Sequence, residues 1–167
     1  MAVAHPKLAL RPFLPVDTPL LADIFRESIT DLTSDDYSEA QQQAWLSRVD
    51  DLEEFAKRLG GQLTLIATLQ GSPVGFASLA SGGTIDMMYV HPVAAGQGVG
   101  AMLADALEKL AGARGAAKLI VDASDTARGF FEKRGYVAQQ RNSISVGDEW
   151  LANTTMHKQL AAKPEAS

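Results

Sequence analysis

The chain has no cysteine among its 167 residues. Disulfides, thiolate metal ligands and an acyl-cysteine intermediate are therefore excluded. Histidine is scarce as well: His5, His91 and His157 lie far apart, a spacing that does not build a zinc site, so no metal is expected. No apolar run approaches the ~20 residues that a membrane-spanning helix needs, and the N-terminus lacks a signal-peptide core. No membrane partner and a cytoplasmic location are expected. The net charge is −5, so the basic stripe of a non-specific nucleic-acid binder is missing. The acidic balance mildly favours a cationic substrate such as an amine.

What the chain has instead is ordinary globular material, 46% hydrophobic and of a length that suits one domain with a sizeable core. Residues 1–160 read as that single domain and residues 161–167 as a loose tail, with no repeat, linker or second domain.

The most informative stretch is Ile85–Leu103, IDMMYVHPVAAGQGVGAML. An apolar run from Ile85 to Val90 suits a strand, and His91-Pro92 ends it, because proline has no ladder donor and restricts its predecessor. Gly96, Gly98 and Gly100 follow, and then apolar residues at helical spacing: Val99, Met102, Leu103, Ala106, Leu107 and Leu110. The order is strand, glycine-rich turn, helix. Bare glycines leave N–H groups uncovered at the helix start, an anion site that suits a pyrophosphate. Gly100 is followed by Ala101-Met102, without the Lys-Ser/Thr of a nucleotide triphosphate loop. Gly96-x-Gly98-x-x-Ala101 fits the loose dinucleotide fingerprint, which leaves nicotinamide-linked oxidoreduction as an alternative. That fingerprint normally occupies a first strand-helix unit, whereas three consecutive strands with short turns (Leu63–Leu69, Val74–Ala80 and this one) imply antiparallel neighbours.

The run VHPVAAGQGVGAML resembles the acyl-CoA-binding segment of the GNAT superfamily of N-acyltransferases, with Gly96, Gln97, Gly98, Val99, Gly100 and Ala101 in matching places. The family's Arg/Gln position is Ala95 here, which removes a side chain but no backbone donor. The resemblance extends from Leu8 to Leu160 and implies an α+β (mixed α/β) GNAT fold. That fold has a central twisted mixed sheet of about seven strands, mostly antiparallel, with a splayed parallel central pair and helices on both faces. It implies acetyl-CoA as cosubstrate, with Met88, Tyr89 and Val90 beside the pantetheine arm and the glycine turn at the pyrophosphate. It also places Ser124, Ala127, Phe130 and Phe131 of ASDTARGFFEKRGYV at the coenzyme. Phe131 stands where the family often has a tyrosine that protonates the departing thiolate, and phenylalanine cannot donate a proton. Tyr37, and after it Tyr89, are the candidate replacements. Arg128, Lys133 and Arg134 lie near the coenzyme helix by the same resemblance, where one could meet the ribose phosphate.

YSEAQQQAW, Tyr37 to Trp45, resembles a branch of small bacterial acetyltransferases that also carries the Phe-Phe pair. By that resemblance Tyr37, Gln41 and Trp45 contact the acceptor, and Asn153 of LANTTMHKQL could line the same pocket.

The first candidate for a base or amine-binding carboxylate is Asp86. It interrupts an apolar strand, and a period of two puts it on the face of Met88 and Val90. A carboxylate buried there alone is costly, so it is either functional or paired with a cation. Glu39 is a distant second. Asp17 is expected to cap the helix that follows it, and Trp150 to pack in a closing hairpin. The expected activity is direct acetyl transfer to an amine of a small molecule or peptide, with a homodimer left open. A non-catalytic acyl-CoA-binding sensor or interaction module is the alternative, with Phe131 and Ala95 as its marks.

Overall fold

The computed structural model describes residues 7–160, so the expected tail at 161–167 lies outside the described residues. In chain order the elements are β1 (Leu8–Pro12), α1 (Thr18–Leu32), α2 (Glu39–Leu46), α3 (Leu52–Gly60), β2 (Leu63–Leu69), β3 (Ser72–Ala80), β4 (Thr84–Val90), α4 (Val99–Ala113), β5 (Lys118–Ser124), α5 (Arg128–Lys133), β6 (Val137–Val146) and β7 (Glu149–Gln159). The strands form one mixed sheet in the order β1-β2-β3-β4-β5-β7-β6. Short turns join β2 to β3, β3 to β4 and β6 to β7, which makes those pairs antiparallel. The crossover through α4 makes β4 and β5 parallel.

Each face of the sheet buries its own core. Val99, Leu103 and Leu107 of α4 cover one face together with Phe131 of α5. Leu21, Phe25 and Ile29 of α1, Trp45 of α2 and Phe55 and Leu59 of α3 cover the other, against Ile66, Phe76 and Met87 of the strands. The apolar spacing in α1 and α4 read from the sequence is the spacing that meets the sheet.

The cap expected of Asp17 is different in the structure. Asp17 takes the N-cap position of α1 but makes no bond to that helix. It turns back and accepts from Leu14 N–H at 2.8 Å and from both terminal nitrogens of Arg11 at 2.9 Å each. The proline-led turn Pro15–Asp17 precedes the helix, so the carboxylate closes the turn and ties it to β1. Arg11's hydrogen bonds, aided by Leu14, outweigh burial and hold the Asp17 carboxyl below the usual aspartate range. A depressed folded-state pKa contributes stability above the unfolded value of about 3.9, and that stability is lost as pH falls through the folded value. Asp17→Asn is thus expected to cost about 2 kcal/mol at neutral pH. Urea titrations of both proteins should show the difference constant above about pH 5 and shrinking below about pH 4.

Candidate active site

The parallel pair at the centre of the sheet is short. β4 and β5 pair only at Thr84–Ile120 and Ile85–Val121, and beyond these residues the strands diverge. His91 N–H donates to Val74 O at 2.8 Å, just past the end of β4. Because backbone groups alternate between the two sides of a strand, Tyr89 and Met87 also turn theirs toward β3. Met88 and Val90 therefore turn their N–H and C=O groups into the gap, where β5 no longer pairs with them. This is an open strand edge at the middle of a sheet, able to take an extended ligand that carries amides.

A cavity of about 320 Å³ runs through the fork. Ser124, Ala127 and Phe131 line it toward the α4–α5 face, and Tyr37, Trp45 and Tyr89 toward the α1–α3 face. Three aromatic rings form the second wall: Tyr37 and Trp45 have centroids 5.3 Å apart, and Trp45 and Tyr89 6.4 Å apart. Beyond the end of β4 lies the glycine turn. Gly98 is the N-cap of α4 at φ 84°, with no side chain covering the first N–H groups of the helix. A Cβ at Gly98 or Gly96 would project into open space. One placed on Gly100 would lie 3.4 Å from the Phe130 ring and 3.9 Å from Val90, so α5, β4 and the turn meet there. A run of bare amides that follows an open strand edge in the chain fits a ligand with a diphosphate at one end and an amide-bearing arm at the other.

A family model described as an acetyltransferase (GNAT) domain matches residues 33–160. The chain belongs to the GNAT family of acetyltransferases. It is 64% identical to a crystal structure from Rhodopseudomonas palustris described as a GCN5-related N-acetyltransferase and as a class-II aminotransferase. That likeness covers 96% of this chain and 99% of the other, with a TM-score of 0.91. YafP of Escherichia coli (strain K12), described as an uncharacterized N-acetyltransferase, is 30% identical over 149 residues, covering 89% of this chain and 94% of YafP. PaiA N-acetyltransferase from Thermoplasma acidophilum, crystallised in complex with coenzyme A, shares the fold at 19% identity and a TM-score of 0.76, over 92% of this chain and 99% of PaiA.

The GNAT fold brings nine of the residues singled out in the sequence to one cavity. Met88, Tyr89, Ser124, Ala127, Phe131, Tyr37, Trp45, Asp86 and Asn153 line the cavity. Gln41 lies outside it: its Nε2 donates to Trp150 O at 2.7 Å and its Oε1 accepts from Ser38 N–H, so it ties α2 to the β6–β7 hairpin. Trp150 is 62% exposed, against the expectation that it packs in the hairpin. Its strand neighbour Leu151 takes the inward position, which leaves Trp150 facing out.

Asp86 is on the opposite face from the one expected. The pairing of β3 with β4 steps from Ser78–Met87 to Leu79–Ile85, so Asp86 is the extra residue of a β-bulge. The bulge breaks the period of two. Met88 packs on the α4 side, and Asp86 turns toward α3 instead. There Arg58 Nε and Nη2 donate to its two oxygens at 2.7 Å each, and Gln62 Nε2 adds a third bond at 2.9 Å. Burial pushes the Asp86 carboxyl up, but these donors, with Arg48 nearby, hold it below the ordinary value.

Tyr37 is equally committed. Its hydroxyl donates to Ala152 O at 2.6 Å and accepts from Asp125 N–H at 2.9 Å, joining α2, the end of β5 and β7. Burial raises its pKa. Tyr89, which accepts from Trp45 Nε1 at 3.3 Å, is pushed up to about 12, chiefly by burial. Arg134 spends its guanidinium on Glu108, at 3.0 Å, and Arg128 pairs with Glu132 at 2.7 Å.

Three charged lining residues escaped the sequence reading: Arg48, Arg58 and Asp122. Arg58 follows Phe55 by three in a charged amphipathic helix and reads there as solvated. Asp122 ends a short apolar strand, and only the sheet order places it at the fork.

Proposed function

We propose that the protein transfers the acetyl group of acetyl-CoA to a primary amine by direct attack within a ternary complex. The observation that carries the reading is the fork between β4 and β5, a cavity lined from both faces of the sheet beside an unpaired strand edge, with a bare helix N-terminus following β4 in the chain. The coenzyme A held by PaiA, which has this fold, supports the same ligand here. The amides of Val99, Gly100 and Ala101 would hold the diphosphate, and the edge of β4 at Met88 and Val90 the pantetheine amides. Acetyl-CoA supplies an activated thioester carbonyl. The acceptor then approaches from the α1–α3 face, past Tyr37, Trp45 and Tyr89.

This chain's residues supply alignment and polarisation more than proton chemistry. Phe131 is 3% exposed and offers no proton. The hydroxyl of Tyr37 is engaged with Ala152, which makes it a positioning residue. A tyrosine with a pKa of about 12, as at Tyr89, is a poor acid. A simple thiol has a pKa near 8.5, with cysteine as the guide, so the thiolate departs without a strong acid and collects a proton from water.

Asp86, ionised and bonded to three donors, is likewise a positioning carboxylate that fixes Arg58. A general base contributes typically 10²–10⁴-fold, so the size of the loss in Asp86→Asn separates the two roles. The expected loss in kcat/KM is about tenfold, the scale of one charged hydrogen bond, with the Kd of acetyl-CoA within about twofold of wild type. A loss of about 10³-fold in kcat would restore Asp86 as the base.

Thiol release from acetyl-CoA across an amine panel, with the amine-free rate subtracted, tests the reading itself. The chain has no cysteine, so the protein adds no thiol background. Acceleration by an amine and an N-acetylated product support it. Binding of acetyl-CoA with no acceleration by any amine favours the sensor.

A further inference from the structure

The charges that line the acceptor side of the cavity are Arg48, Arg58, Asp86 and Asp122. Arg58 and Asp86 satisfy one another. That leaves one cation and one anion. Among the described residues no carboxylate lies within 4 Å of the Arg48 guanidinium, and no cation lies within 4 Å of the Asp122 carboxylate. The two are therefore also held apart from each other.

Their positions differ in a useful way. Asp122 is the first residue of β5 past the last pair with β4, at the throat of the fork. Leu119, Val121 and Ala123 face the α4 side, so alternation turns Asp122 to the α1–α3 side. One of its oxygens accepts from Thr155 Oγ1 at 2.6 Å, which aims the carboxylate and leaves the other oxygen open. Arg48 lies in the short turn Ser47–Val49 after α2 and lines the same cavity. The rings of Tyr37, Trp45 and Tyr89 line it with them.

We propose that the acceptor is an aminocarboxylate with an apolar or aromatic skeleton, its amine received by Asp122 at the fork and its carboxylate by Arg48 of the turn after α2. The proposal rests on the acetyltransferase reading and names the substrate class of that site. A pocket with one unpaired charge of each sign complements a zwitterion, and the aromatic wall supplies the apolar contact for its skeleton. Asp122 takes the ammonium proton and passes it to solvent. The freed nitrogen forms the bond to the acetyl carbon while the carbon–sulfur bond breaks, and the second nitrogen proton leaves as the thiolate is protonated. Arg can meet the carboxylate through two parallel N–H donors.

The test compares each of a set of L-amino acids with its amide and its decarboxylated amine, starting with L-phenylalanine, L-phenylalaninamide and 2-phenylethylamine. Wild type is expected to favour the free carboxylate by about tenfold in kcat/KM. Arg48→Ala should abolish that preference by slowing the amino acid alone, and Arg48→Glu should shift it toward 1,4-diaminobutane. Asp122→Asn should slow all three acceptors by about tenfold or more, with the Kd of acetyl-CoA unchanged. Both side chains are exposed, and an unchanged thermal midpoint shows that the variants fold. Preference of wild type for the amide or the amine, or equal losses across the set in Arg48→Ala, overturns the proposal while leaving the acetyltransferase reading intact. If no acceptor turns over, binding of N-acetyl-L-phenylalanine to the protein with coenzyme A decides. Binding that Arg48→Ala weakens supports the proposal, and absence of binding overturns it. Failure of wild type to bind acetyl-CoA removes the acetyltransferase reading and this proposal with it.

Discussion

Glu108→Ala is expected to destabilise the protein by about 3–5 kcal/mol, the cost of leaving buried charges without their partner. Glu108 is the hub of a polar cluster under the α4 face. Its carboxylate accepts from Arg134 at 3.0 Å, from Lys158 at 2.8 Å and from the Tyr136 hydroxyl at 3.2 Å. Its side chain is 11% exposed, and those of Arg134 and Lys158 are 20% and 25% exposed. Truncation would leave two cations facing each other in a poorly solvated site. Burial first, and then the neighbouring Glu108 charge, push the Tyr136 hydroxyl far above its ordinary pKa, so that phenol stays a neutral donor. In a domain of this size the loss lowers the thermal midpoint by about 10 °C. Urea denaturation of Glu108→Ala and Glu108→Gln measures it. The glutamine keeps one acceptor oxygen and loses less. A deficit under about 1 kcal/mol in the alanine variant would place the cluster among ordinary surface pairs.

Gly98→Val is expected to weaken acetyl-CoA binding by about 30-fold, with the acceptor KM little changed. Gly98 holds a left-handed conformation, φ 84° and ψ 7°, at the N-cap of α4. A left-handed residue costs a non-glycine side chain roughly 1–2 kcal/mol, and a β-branched one suffers most. Relief of that strain would re-aim the first amides of the helix, and the valine methyl groups would stand where the diphosphate must approach. About 2 kcal/mol corresponds to about 30-fold in Kd. Titration calorimetry with acetyl-CoA reads this directly, and the α4 face keeps its packing because Val99 and Leu103 are untouched. Unaltered affinity would show that the turn serves only to connect β4 to α4.

Local patterns account for what could be read in advance. The strand, proline, glycine turn and helix of Ile85–Leu103 are near in sequence, so composition and spacing suffice to describe them. The same holds for the hairpin between β2 and β3. The differences fall where a distant or a competing partner decides. Asp86 could be located on its strand, but its face is set by a bulge that exists only in the pairing with β3. Its partner Arg58 is 28 residues away in sequence. Asp17 was read as a cap from its place before α1, yet Arg11 and Leu14 compete for the same oxygens and win. Asp122 carries no sequence signal at all. Its place at the fork comes from β5 lying beside β4 and parting from it after two residue pairs, just before Asp122.

Among the described residues, the two residue pairs that join β4 to β5 are the only direct ladder between one half of the sheet, β1–β4, and the other, β5–β7. The molecule is thus two half-sheets stitched at a single corner, with the rest of the seam left for a guest chain to lace. A guest that pairs with Met88 and Val90 completes the weave, and its concentration enters the folding free energy as RT ln(1 + [L]/Kd). Bound there, the coenzyme proposed above would add to the hold between the two halves.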